Sequence, residues 1–156
     1  MTERETTRLI AWSHEMRRVH ARLREALRVT REAVDRGESA ETPARELLLF
    51  CHGFCSALDA HHTGEDRTLF PAIEAARPDL APVLRALQQD HSMISHLLGG
   101  LQAATDARSS PEVLAGHLEG IAAIMESHFR YEERQLLAVL EGLALDADPG
   151  KALGSL

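Results

Sequence analysis

The chain has 156 residues, 24 of them acidic and 17 basic, for a net charge of −7. That length suits one domain able to bury a core without disulfide staples, and the acidic balance argues against a nucleic-acid or anionic-membrane surface. Ten glycines and six prolines are thin punctuation for an all-β chain.

Four long segments carry the 3.6-residue apolar period of helices. The first spans about residues 6–36. The second opens at Thr42 and Pro43, a cap followed by proline at the first helical position, and reaches Leu69-Phe70-Pro71, where the proline should bend or end it. A short helical piece follows to Arg77. The third segment covers about 79–105. The fourth opens with Ser110-Pro111-Glu112, again cap then proline, and runs to about 143. No strand-like alternation stands out. Four helices joined by short loops predict an all-α, up-down-up-down four-helix bundle over residues 1–145. Residues 146–156 are small and polar, with glycine and proline, and are expected to form a flexible tail. The charged start lacks an apolar leader, and no run approaches the ~18 apolar residues of a membrane span. The expected location is cytoplasmic, with neither membrane nor nucleic acid as partner. Two cysteines make no disulfide framework. Cys51 and Cys55, one turn apart on an apolar face, read as small core residues.

Nine histidines are an unusual number, and their helical phases sort them. At about 100° per residue, His20 lies about 50° from the centre of the stripe Leu9, Trp12, Met16, Val19, Leu23, Leu27 and Val34, whereas His14 lies about 170° away. On the third segment His91 lies about 50° from the stripe Leu84, Leu87, Ile94, Leu98 and Leu101, and His96 falls on the far side. His14 and His96 are therefore expected in solvent. On the second segment Glu65 shares a face with Leu47, Cys51, Phe54, Cys55, Leu58 and Leu69; His61 and His62 flank that face, and His52 is off it. On the fourth, His128 and Glu132 sit among Ile121, Ile124, Met125, Leu136 and Val139. Ionisable groups on an apolar stripe need partners, and a metal is one. His117 is too far along the axis from His128 to share a site with it.

An internal repeat sets the register. His61-x-x-x-Glu65-Asp66-Arg67-x-Leu69 aligns with His128-x-x-x-Glu132-Glu133-Arg134-x-Leu136. Histidine and glutamate four apart lie on adjacent turns of one face and reach one site. The alignment pairs His61 with His128 and sets His62 opposite Phe129, which favours His61 as the ligand and leaves His62 lining the pocket. The inward set is His20, His61, Glu65, His91, His128 and Glu132, one or two residues from each helix. Four imidazoles and two bridging carboxylates suit a dinuclear site for first-row transition metals. Asp66 and Glu133, next to the ligand carboxylates, read either as hydrogen-bond acceptors beside the ligands or as surface charges, with Arg67 and Arg134 as candidate partners. Tyr131, beside Glu132, is a candidate hydrogen-bond donor to a bound ligand.

On these residues the chain resembles the hemerythrin-like, or HHE cation-binding, domain family. The resemblance lies in His20, in His61-x-x-x-Glu65 followed by Asp66-Arg67-Thr68-Leu69-Phe70-Pro71, in the lone His91 of Gln89-Asp90-His91, and in His128-x-x-x-Glu132-Glu133. It implies an up-down four-helix bundle holding two iron ions in a non-haem, oxo- or hydroxo-bridged centre that meets O2, peroxide or nitric oxide. Two departures matter. Oxygen-carrying hemerythrins have a second histidine one turn after the third-helix ligand, where this chain has Ser95, and they end in His-x-x-x-x-Asp rather than His-x-x-x-Glu. Both point away from O2 transport, towards sensing, scavenging or oxidative chemistry on a small diatomic, a peroxide or a small-molecule substrate. The ligand set does not exclude zinc or manganese. The competing readings are a di-iron oxidase or oxygenase, a zinc or metal-storage bundle, and a metal-free helical interaction domain.

Overall fold

The structure is a computed structural model describing the backbone of residues 3–37 and 44–154 and the side chains of 12–36 and 50–154. Among these there is no strand. In chain order come α1 (Glu3–Gly37), α2 (Ala44–Gly64), a π-helical turn (Glu65–Leu69), α3 (Phe70–Ala76), a 3-10 turn (Pro78–Leu80), α4 (Ala81–Asp106), α5 (Pro111–Glu141) and α6 (Pro149–Leu153). α1 packs on α2 and α5, and α4 packs on the same two helices, so the long helices enclose a common core. Among the described residues no helix is long and apolar enough to cross a membrane.

Local chemistry accounts for the breaks. Ser110 is extended, and its hydroxyl accepts from the Val113 N–H at 3.3 Å, capping α5 ahead of Pro111. Arg77, which precedes Pro78, leaves the helical region at φ −139° and ψ 77°, as the proline ring requires. Pro71 does not end its helix. Instead the chain widens into the π-helical turn just before it, with the Phe70 N–H donating to the Glu65 carbonyl.

The core is drawn from one stripe per helix: Trp12, Met16, Val19 and Leu23 of α1, Phe54 and Leu58 of α2, Leu87 and Ile94 of α4, and Ile121, Met125 and Leu136 of α5. Ile124 and Val139 are only half-buried, at the edge of the α5 stripe. The side chains of Leu9 and Leu47 and the whole of the Thr42 cap lie outside the described residues. Cys51 and Cys55 are buried free thiols, and burial pushes Cys55 up to about 12, so it serves as a protonated core residue.

The tail corrects an expectation. Residues expected to be flexible form α6, whose Ala152 and Leu153 are fully buried against α2, the π-helical turn and α1. The Trp12 indole N–H donates to the Leu145 carbonyl at 3.0 Å and ties the approach to α1. Leu145, Ala147, Ala152 and Leu153 provide apolar contacts that a composition of small residues obscures.

Candidate metal centre

Every inward phase expected for a histidine or glutamate is realised. His20, His61, Glu65, His91, His128 and Glu132 are buried in one place, while His14 and His96 are exposed. His52 pairs with Asp106 at the surface, and His117 is half-buried beside Gly100. Two clusters emerge whose ligand atoms lie within 4.8 Å of one another: His20, His61, Glu65 and Glu132, and His62, Glu65, His91 and His128. Glu65 belongs to both. Its Oε1 lies 3.3 Å from His61 Nε2 and 3.4 Å from His91 Nε2. Glu132 also straddles them, with Oε1 2.9 Å from His20 Nε2 and Oε2 3.6 Å from His128 Nε2.

The outer nitrogens are tethered. Nδ1 of His20 faces Glu133 at 3.0 Å, Nδ1 of His91 faces Asp66 at 2.8 Å, Nδ1 of His128 faces Asp90 at 3.0 Å, and Nδ1 of His61 faces the Leu153 carbonyl at 2.7 Å. A carboxylate or carbonyl accepts, so each Nδ1 donates and each Nε2 is turned inward. His91 Nε2 and His128 Nε2 then face one another at 3.2 Å, a contact between lone pairs that a cation between them would turn into attraction.

Five buried side-chain atoms among the described residues lack a hydrogen-bond partner: His61 Nε2, His62 Nε2, both oxygens of Glu65 and Oε2 of Glu132. All five belong to these clusters. Buried polar groups are almost always paired, because leaving one unpaired costs roughly 1–3 kcal/mol. This donor set, imidazole nitrogen and carboxylate oxygen, fits first-row transition metals.

The charges are arranged to the same end. Burial, with the neighbouring charge of Glu132, raises Glu65 well above the usual carboxylate range. Burial would also push Glu132 up, but the hydrogen bond and charge of His20 outweigh it and hold Glu132 far below that range. Burial pulls His20 down, while Glu132 and Glu133 more than reverse this. Burial and the repulsion of His20 push His61 down to about 3, and burial depresses His62 and His128 as well. Raised proton affinity at Glu65 and His20 sets the proton in competition with a metal at the two clusters. Metal affinity should fall as pH drops through their raised range, by up to about tenfold per pH unit for each proton displaced. Competition titrations against a chelator between about pH 7.5 and 5.5 read this slope directly.

The internal repeat becomes a two-fold resemblance in space. Asp66 and Glu133, equivalent in the repeat, each hold the buried histidine of a neighbouring helix. His62 and Phe129, also equivalent, each stack on that histidine: His62 on His91 at 3.9 Å and 13°, Phe129 on His20 at 3.9 Å and 5°. His62 is thus the residue whose part sequence reasoning understated. It brings a third imidazole to the His91 cluster where Phe129 brings only a ring.

Two placements depart from expectation. Tyr131 is turned off the centre, half-buried under Arg134 at 5.8 Å, since one residue along a helix moves the side chain by about 100° from Glu132. The partner of Glu133 is Arg24 of α1 at 3.4 Å, which also binds Glu126; Arg67 is exposed.

A helical core with two metal-competent clusters of histidine and glutamate defines a cation-binding helical protein. Residues 13–140 match the family model of the Hemerythrin HHE cation binding domain, and the chain belongs to that family. Neither the comparison with curated proteins nor that with solved structures found a match.

Proposed function

We propose that this chain is a non-haem di-iron hemerythrin-like protein, built on an up-down-up-down bundle, that binds or reacts with O2, peroxide or nitric oxide rather than transporting O2. The observation that carries the reading is the convergence of five unpartnered buried atoms on two clusters sharing Glu65. His20, His61, Glu65 and Glu132 would hold one iron, and His62, Glu65, His91 and His128 the other. Iron there would supply one-electron redox chemistry and an affinity for a small ligand. Glu65 and Glu132 each face histidines of both clusters and would supply negative charge there. Asp66, Asp90 and Glu133 fix imidazole orientation and raise basicity. Ser95 lines a cleft of about 370 Å³ with Asp59, Thr63, Asp66, Ser92, His62 and His91. The side chain that oxygen carriers use as a ligand is thus replaced by a hydroxyl beside a route of approach from solvent.

Elemental analysis of protein produced with iron tests the reading. The expected result is about two irons per chain, with His61→Ala retaining at most about one. Two zinc ions, or none after reconstitution with ferrous iron, would overturn the di-iron assignment.

A further inference from the structure

The two-fold resemblance fails at one point. His128 donates from Nδ1 to Asp90, the residue immediately before His91, the buried histidine of α4. The equivalent position on α1, immediately before His20, is Val19, which is buried and has no acceptor to offer His61. The acceptor for His61 comes from the other end of the chain, as the Leu153 carbonyl at the close of α6.

The tail is shaped for this contact. A Cβ on Gly64 would lie 2.8 Å from the Lys151 carbonyl oxygen, so α6 rests directly on α2 where glycine leaves room. Gly154 has φ +86°, and a Cβ there would lie 2.9 Å from the His61 backbone nitrogen. Both a side chain and an ordinary backbone conformation are disfavoured at that position. Ala152 and Leu153 are fully buried and anchor the turn.

We infer that the C-terminal segment is a positioning clamp for His61. Its Leu153 carbonyl fixes the imidazole with Nδ1 protonated and Nε2 inward, so that undocking α6 selectively weakens the metal position formed by His20, His61, Glu65 and Glu132. This rests on the metal reading above. It adds that the two positions depend on different parts of the chain: His128 is held by a carboxylate of its own bundle, and His61 by a neutral carbonyl delivered from the terminus.

The test compares the full chain with Gly154→Val, with a chain ending at Ala147, and with Lys151→Ala, an exposed α6 change that leaves the docking contacts in place. Each is titrated with ferrous iron without oxygen, and helix content is followed by circular dichroism. The expected result is that the first two variants keep the helix content of the elements before α6 and one iron, while their second iron binds about 10–100-fold more weakly; Lys151→Ala binds as the full chain does. A second readout needs no metal. In the ¹⁵N-labelled chain, a protected imidazole N–H assigned by its loss in His61→Gln should also vanish in Gly154→Val. Two irons bound with unchanged affinity by both tail variants would overturn the clamp, as would an undisturbed His61 N–H signal in Gly154→Val. If the full chain takes no iron, the metal reading fails, and the imidazole signal alone decides whether the tail orients His61.

Discussion

Replacing Glu65 with leucine should abolish high-affinity metal binding in both clusters and, at the same time, raise the melting temperature of the metal-free chain. The two effects share a cause. Glu65 Oε1 lies between His61 Nε2 and His91 Nε2, at 3.3 and 3.4 Å, so its removal takes a ligand from both positions. Yet both Glu65 oxygens are buried without a hydrogen-bond partner, and burial beside Glu132 raises the carboxyl well above its ordinary range. A leucine removes that penalty of roughly 1–3 kcal/mol, and each kcal/mol moves the melting point of a domain this size by about 2–4 °C. Glu132→Leu should shift stability the other way. It strips His20 Nε2 of a fully buried carboxylate at 2.9 Å, and breaking a buried pair costs up to about 3–5 kcal/mol. Thermal unfolding of metal-free Glu65→Leu and Glu132→Leu, with iron content measured in parallel, checks both halves. Undiminished iron binding by Glu65→Leu would refute the bridging role.

The contrast between these carboxylates was only half legible in the sequence. Helical phase and the His-x-x-x-Glu repeat place both among apolar residues, and the inward His20 and His91 follow from the same arithmetic, because side-chain direction on a regular helix depends on residue count alone. What phase cannot reach is whatever depends on contact between elements. Asp66 and Glu133 are recognisable as acceptors beside the ligands, but Glu133 pairs with Arg24 across the helix interface rather than with Arg134 on its own helix. His62 sits on the flank of the α2 stripe, where phase is ambiguous. Its repeat partner Phe129 stacks on a neighbouring histidine as His62 does, yet a phenyl ring has no lone pair, so the alignment passes over the imidazole nitrogen that His62 brings to the His91 cluster. The π-helical turn at Glu65–Leu69 absorbs Pro71 by widening, an accommodation that local propensity does not distinguish from a helix end. The tail is the least legible element. Its docking depends on the absent side chain of Gly64 and the backbone of Gly154, one meeting the terminus from a helix far away in sequence. Small residues read locally as fraying serve tertiary contact as close-approach surfaces.

Phe129→Ala should be the most damaging single truncation near the centre. Phe129 is fully buried on the inward side of α5. Its ring stacks on His20 and meets the edge of His61 at 5.9 Å and 88°, while the Arg24 guanidinium lies 5.4 Å from its centroid. One side chain thus packs against both imidazoles of the His20–His61 cluster and the cation that holds Glu133. Loss of a buried phenyl group costs about 3–5 kcal/mol when the surroundings cannot collapse. Here they cannot collapse freely, since His20 is tied at both nitrogens, to Glu132 and Glu133, and His61 is tied to the α6 carbonyl. At about 2–4 °C per kcal/mol the melting point should drop by roughly 6–20 °C. Phe129→His, which repeats at this position the imidazole of its equivalent His62, should be milder because a flat ring still covers His20. Differential scanning calorimetry of both variants against the parent measures the difference. Equal losses would mean that the stacked ring on His20 contributes nothing beyond the volume of the phenyl group, and that the likeness between the two clusters has no energetic content at this position.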